Sequence, residues 1–168
     1  MPDDHLTVAV ALTDEAATLD FGARLAACLH AGMSVWLEGD LGAGKTTLVR
    51  GLLRAVGVTG TVRSPTYTLV EVHLVSGLNF YHFDFYRFNQ PEDFLDAGLD
   101  EYFQGQGVCL VEWPERAAPY LPPADLRIAL SLAPDHGRLV RCQTASERGR
   151  RCLALLTAVP CSSSPPPA

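Results

Sequence analysis

Apolar residues alternate with polar or small ones from Leu6 to Leu12, which predicts an opening strand. From Asp14 to His30 the period lengthens: Phe21, Leu25, Cys28 and Leu29 share one face of a predicted helix, and Gly32 stands where that helix should end. Met33 to Glu38 is a compact apolar run, expected as a buried strand, and Thr46 to Val56 reads as a helix stopped by Gly57. Thr68 to Val75 and Leu78 to Arg87 are both strand-like and joined by Ser76-Gly77, so they predict a hairpin. In its second strand a period of two sends Tyr81, Phe83 and Phe85 to an apolar face and His82, Asp84 and Tyr86 to a polar one.

Asn89 to Gly107 carries five acidic residues (Glu92, Asp93, Asp96, Asp100, Glu101) and no basic one, and reads as short helices around Gly98. Val108 to Val111 is a short apolar strand running into Glu112-Trp113-Pro114. Leu126 to Leu132 and Leu139 to Thr144 predict two further strands turning at Asp135-His136-Gly137, and Ser146 is placed to cap a last helix through Val159. The Ser/Pro-rich residues from 160 to 168 are expected to be disordered.

Between the second predicted strand and its helix lies Gly39-Asp40-Leu41-Gly42-Ala43-Gly44-Lys45-Thr46, which fits G-x-x-x-x-G-K-[ST]. The glycines allow a turn tight enough for consecutive N–H groups to face phosphate oxygens, and the N-terminus of the following helix adds its positive field. Lys45 is suited to reach the β- and γ-phosphates, and Thr46 to offer a hydroxyl to Mg²⁺. Lys45 is also the only lysine in the chain. Together these features predict an α/β fold: a three-layer P-loop NTPase-like domain over residues 1–159, with a mixed, mostly parallel sheet and an antiparallel hairpin edge.

Composition narrows the possibilities. At 168 residues, 48% hydrophobic and 19% charged, the chain suits one α/β domain, and no apolar run is long enough to span a bilayer. The start Met1-Pro2-Asp3-Asp4-His5 lacks the basic opening of a secretory signal, so a cytoplasmic location is expected. Five cysteines (Cys28, Cys109, Cys142, Cys152, Cys161) form no C-x-x-C pair and read as core fillers. A formal net charge of -6 disfavours unaided nucleic-acid binding, which needs clustered Lys and Arg.

Turnover of a bound nucleotide also needs acidic groups and an oriented water. Glu112 emerges at the carboxyl end of a buried strand, where ligands of such folds lie, although a strand-end carboxylate can also be merely solvated. Asp84 is the second candidate; alternatively it is a charge on the wet face of an edge strand. Thr66, in Ser64-Pro65-Thr66-Tyr67, sits where switch loops sense a γ-phosphate, and also where any turn could lie. Arg63, Arg87 and Arg116 flank these elements. Arg138, Arg141, Arg148, Arg150 and Arg151 form a run that is either a contact for a partner or tRNA or a solvated face.

Gly39 to Thr47, Ser64-Pro-Thr-Tyr67, His82-Phe-Asp-Phe-Tyr-Arg87 and Leu110-Val-Glu-Trp-Pro114 together resemble the bacterial TsaE family over about residues 6–158. The resemblance implies a small, Mg²⁺-dependent P-loop ATPase of tRNA threonylcarbamoyladenosine biosynthesis that works with TsaB and TsaD and meets tRNA through that complex. It implies that Lys45, Thr46 and Thr47 hold phosphates and metal, that Asp84 and Glu112 complete the metal and water site, and that Trp113 lies near the nucleotide. A small-molecule or nucleotide kinase and a non-catalytic nucleotide-sensing module are the alternatives. A GTPase is disfavoured, because an Asn-Lys-x-Asp guanine loop would need a second lysine.

Overall fold

The structure, a computed structural model, describes residues 6–75, 77–144 and 146–158. Seven strands form one sheet: β1 (Thr7–Leu12), β2 (Ser34–Glu38), β3 (Val70–Val75), β4 (Leu78–Asp84), β5 (Val108–Glu112), β6 (Leu126–Leu132) and β7 (Arg138–Thr144). Their order is β1-β7-β6-β2-β5-β4-β3. The centre, β6-β2-β5-β4, is parallel, while β3 pairs antiparallel on one edge and β7 and β1 pair antiparallel on the other. The predicted hairpin is therefore one of two antiparallel margins. Ser76 in its turn, residue 145, and the predicted tail at 160–168 lie outside the described residues.

The helices are α1 (Glu15–Ala26), α2 (Lys45–Ala55), α3 (Asp93–Asp96) and α4 (Glu147–Ala158), with 3₁₀ turns at Leu99–Gln104 and Pro114–Arg116. Each face of the sheet has its own core. On one, Phe21, Leu25, Leu48, Leu52, Leu153 and Leu156 from α1, α2 and α4 pack on Val35, Leu37, Leu110 and Ile128. On the other, Phe83, Phe85, Phe94, Leu99 and Val111 form a smaller aromatic cluster under the short helical turns. Alternation along β2 and β5 feeds both cores, as expected of central strands buried on two sides.

Local chemistry accounts for the helix ends. Asp14 caps α1 by accepting from the Ala17 N–H at 2.8 Å, with Glu15 in the first turn complementing the dipole. α1 is shorter than the predicted helix: the Cys28 N–H turns back to Leu25 at 2.9 Å, and Cys28 and Leu29 enter the core from non-helical backbone. Gly32, at φ +80°, acts instead in the turn into β2, donating to Gln106. α2 ends as predicted, in a Schellman motif. Gly57 (φ +103°) donates to Arg54 and Val58 donates to Leu53.

Two glycines fix the spacing of α1 and α2. A Cβ on Gly22 would lie 2.1 Å from the Leu48 carbonyl oxygen, and one on Gly51 would lie 2.2 Å from that of Leu19. Their reciprocal contact lets the two backbones approach where larger residues would hold them apart, and it brings the start of α1 beside the loop that opens α2.

β4 departs from expectation. It ends at Asp84, not Arg87: the Phe85 N–H makes the last ladder bond, to the Glu112 carbonyl (3.2 Å), and the Tyr86 N–H then turns back to Asp84 Oδ1 (2.9 Å), taking the chain off the sheet. Its His82–Asp84 face is polar, as expected, but the wet-edge alternative for Asp84 does not hold: β3 covers the edge, and His82 and Asp84 are both buried. Cys28, Cys109, Cys142 and Cys152 are buried, and burial pushes the Cys109, Cys142 and Cys152 thiols up to about 12; Cys161 lies outside the described residues. Among the described residues no helix is long and apolar enough to cross a membrane.

Candidate functional site

The parallel register gathers the chemistry. Leu37, the penultimate residue of β2, pairs with Glu112 at the end of β5, and Glu112 pairs with Asp84 at the end of β4. The P-loop follows β2, so loop and carboxylates share the carboxyl edge of the parallel strands, the usual ligand side of an open α/β sheet. Gly39, Gly42 and Gly44 all have left-handed φ (+142°, +79° and +108°), which a side chain would strain. α2 begins directly after them with no side-chain cap, leaving its first N–H groups to serve an anion.

Lys45 is buried. Its ammonium donates to the carbonyls of Gly39 and, at 3.0 Å, Asp40, and sits 4.3 Å from the centre of the Trp113 ring. Burial lowers its pKa, opposed by the charges of Glu112 and Asp84. Trp113 reaches this position because it adopts φ +58°, reversing the chain immediately after Glu112.

Glu112 is 2% exposed and has three polar side-chain partners. It accepts from the Thr46 hydroxyl at 3.0 Å and the Ser64 hydroxyl at 2.9 Å, and shares a 2.8 Å hydrogen bond with His82 Nε2. Burial pushes its carboxyl up, but the hydrogen bond and charge of His82, with the Ser64 and Thr46 hydroxyls, outweigh that and hold it below the ordinary value. Asp84 accepts from Ser64, from Thr66 at 3.5 Å, and from the Tyr86 N–H. Ser64 therefore lies between the two carboxylates, which share its single hydroxyl hydrogen.

These groups open onto a cleft of about 590 Å³. Its walls include Leu41, Gly42, Ala43, Gly44, Lys45, Thr46 and Thr47 of the loop, together with Ser64, Thr66, Asp84, Glu112 and Trp113. Gly39 and Asp40 lie behind that wall, their carbonyls engaged by Lys45. The other end of the cleft is built from Thr13, Asp14, Glu15 and Thr18 at the start of α1 and from His136 and Arg138 of the β6–β7 turn. Sequence reading missed this end: nothing in a linear pattern brings residues 13–18 and 136–138 to one place. It also named Thr66 as the switch hydroxyl, whereas Ser64 makes the shorter contacts with the carboxylates.

The flanking arginines take other roles. Arg63, Arg87 and Arg116 do not line the cleft; Arg87 stacks over Tyr67 at 4.2 Å and Arg116 over Tyr86 at 5.8 Å. The basic run divides as well. Arg148 reaches Asp125, Arg151 pairs with Glu147, and Arg138 belongs to the cleft.

The donor set suits a hard cation only in company with phosphate. Thr46, Ser64, Asp84 and Glu112 offer oxygen exclusively, as Mg²⁺ requires, but no group of three His, Cys, Asp or Glu among the described residues could cage an ion unaided. That is the arrangement expected where substrate phosphates and water complete the sphere.

The family model described as threonylcarbamoyl adenosine biosynthesis protein TsaE matches residues 12–140. A Haemophilus influenzae relative named tRNA threonylcarbamoyladenosine biosynthesis protein TsaE is 43% identical over 129 residues, covering 74% of this chain and 82% of its own. A Bacillus subtilis relative of the same name is 42% identical, covering 73% and 77%. A crystal structure of Bacillus subtilis YdiB superposes with a TM-score of 0.80 at 32% identity, covering 92% of this chain and 96% of that one.

Proposed function

The chain belongs to the TsaE family, and on that premise we propose that it binds and hydrolyses MgATP in service of threonylcarbamoylation of the adenosine next to the tRNA anticodon. It does so with TsaB and TsaD as partners and reaches tRNA through them. The observation that carries the catalytic part is the convergence of Thr46, Ser64, Asp84 and Glu112 beside Lys45. A module that only sensed nucleotide would need the loop but neither buried carboxylate.

In this reading the N–H groups at the start of α2 take the phosphates, and the Lys45 ammonium turns from the Gly39 and Asp40 carbonyls to the β- and γ-phosphate oxygens. Thr46, Glu112 and Asp84 hold Mg²⁺ and its waters. Bound there, Mg²⁺ neutralises charge developing on the phosphates. Glu112, kept ionised by its hydrogen bonds, orients the attacking water and accepts its proton; His82 holds the carboxylate in place. Ser64 and Thr66 belong to the switch loop, exchanging their bonds to the carboxylates for bonds to the γ-phosphate or its water. Trp113 forms a wall over the phosphates.

The test is ATP turnover by the purified chain, alone and with TsaB and TsaD, with Lys45→Ala as blank. Slow turnover that the partners stimulate is expected. Partners that change neither turnover nor nucleotide binding would overturn the proposed coupling and send the search to phosphoryl acceptors.

A further inference from the structure

Arg138 opens β7, paired with Leu12 of β1 on one side and Leu132 of β6 on the other. Its guanidinium makes four hydrogen bonds, all to main-chain carbonyls: Nε to Ala43 (2.8 Å), Nη2 to Gly42 (3.2 Å), and Nη1 to His136 and Gly137 (3.0 Å each). Two of these carbonyls belong to the P-loop and two to the β6–β7 turn. A side chain 95 residues away in sequence thus ties the phosphate loop to the sheet margin.

Peptide planarity gives this tie a consequence. In a trans peptide the C=O of one residue and the N–H of the next point in opposite directions. Drawing the Gly42 and Ala43 carbonyls towards Arg138 turns the Ala43 and Gly44 N–H groups to the other side of the loop. The Ala43 N–H is used within the loop, donating to Asp40 at 3.1 Å, which leaves Gly44 to lead the N–H series into α2. Gly42 and Gly44 both have left-handed φ and no side chain to restrict them, so the orientation of these peptides needs a restraint from outside the loop.

We propose that Arg138 is a positioning residue for nucleotide phosphate: it sets the P-loop peptides in the anion-binding orientation and adds a positive charge behind them. No carboxylate is among its hydrogen-bond acceptors, although Asp14 and Glu15 line the same cleft. The β6–β7 turn that shares the guanidinium is itself fixed: His136 holds φ +66°, and a Cβ on Gly137 would lie 2.5 Å from the Leu12 carbonyl oxygen. The turn is therefore packed closely on the end of β1. Lysine could not replace Arg138, since an ammonium lacks the planar fork that spans carbonyls of two loops.

The inference rests on the P-loop binding nucleotide, and a calorimetric titration of wild type, Lys45→Ala, Arg138→Ala and Arg138→Lys with ATP and with ADP separates the two. Arg138→Ala should weaken ATP and ADP by the same factor, about tenfold, as loss of charge-assisted hydrogen bonds predicts. The KM for ATP should rise by a similar factor with kcat within about twofold, since the carboxylate site is untouched. Arg138→Lys should remain severalfold weaker than wild type for both nucleotides. Loss confined to ATP would overturn the proposal in favour of direct γ-phosphate contact, and unchanged affinity would overturn it outright. If Arg138→Ala does not fold, wild-type affinity in Arg138→Lys is the overturning result. Failure of wild type to bind either nucleotide would sink the ATPase reading itself; binding lost in Lys45→Ala but kept in both Arg138 variants sinks only the role of Arg138.

Discussion

Glu112 and Asp125 are both buried carboxylates at strand ends in the middle of the sheet, yet they lie at opposite edges and keep different company. Asp125, at the amino edge, accepts from the Ser34 N–H (2.9 Å), the Ser146 hydroxyl (2.7 Å) and Arg148 (3.3 Å), and its own N–H donates to Ser34. α4 presses against it: a Cβ on Gly149 would lie 1.9 Å from the Asp125 carbonyl oxygen. Its partners include a main-chain N–H that cannot rotate and a guanidinium that cannot lose its proton, so the cluster fastens α4 to the sheet. Glu112, at the carboxyl edge, accepts from two hydroxyls and an imidazole and faces a cleft. Hydroxyls rotate and can donate or accept, so this set can be exchanged for ligand contacts with little rearrangement. Burial and hydrogen bonding alone therefore do not separate the two carboxylates; the cleft that Glu112 faces does.

The contrast can be broken most forcefully at the amino edge. Asp125→Ala should cost about 2–3 kcal/mol of stability, because it strands the buried Ser34 N–H and the Ser146 hydroxyl, while nucleotide affinity per folded molecule stays at the wild-type level. Urea unfolding and a binding titration on the same sample check it; a loss below about 1 kcal/mol would mean that the apolar face of α4 suffices to hold it. Glu112→Gln should shift the weight to function, binding ATP but turning it over at least ~10-fold more slowly, with a smaller loss of stability than Asp125→Ala. Unchanged turnover would remove Glu112 from the mechanism.

Smaller effects sharpen the comparison. His82→Ala should lower kcat about tenfold with KM nearly constant, at the low end of what losing an outer-shell partner costs, and His82→Gln should recover part of it. An equal fall after both substitutions would show that the imidazole does more than position Glu112. The slightest effect concerns acid. Because the folded chain holds the Glu112 carboxyl below its ordinary 4.5, its stabilising contribution is fully present above that pH and is lost as pH falls through the lower folded value. Wild type, with chelator present, should therefore lose stability below about pH 4.5 more steeply than Glu112→Gln; parallel acid limbs would contradict the depressed titration.

The amount legible in the sequence differs by element. The P-loop was plain because its parts are contiguous and each has a conformational duty. Asp84 and Glu112 could be named as candidates, but their contact is set by the register of β4 on β5, which no local pattern encodes. Period-two alternation along β4 sorted its side chains up to Asp84 but left open whether the polar face was buried or wet, because the strand's place inside the sheet is not written in its local pattern. The arginine run from 138 to 151 looked like one patch; a strand and a helix divide it, and Arg138 turns to the P-loop. Ser64 was hidden for a related reason, since loop hydroxyls find their partners only when the loop is folded back.

One consequence follows from the solitary lysine under Trp113. Within this sequence Lys45 carries the only side-chain amine. An acylating reagent or an acetyltransferase acting on lysine thus has a single internal target, at the centre of the cleft, screened by an indole. In a peptide map of amine-modified chain, a nucleotide bound in the cleft would register as protection at that one side chain, read apart from the α-amine that the same reagent modifies.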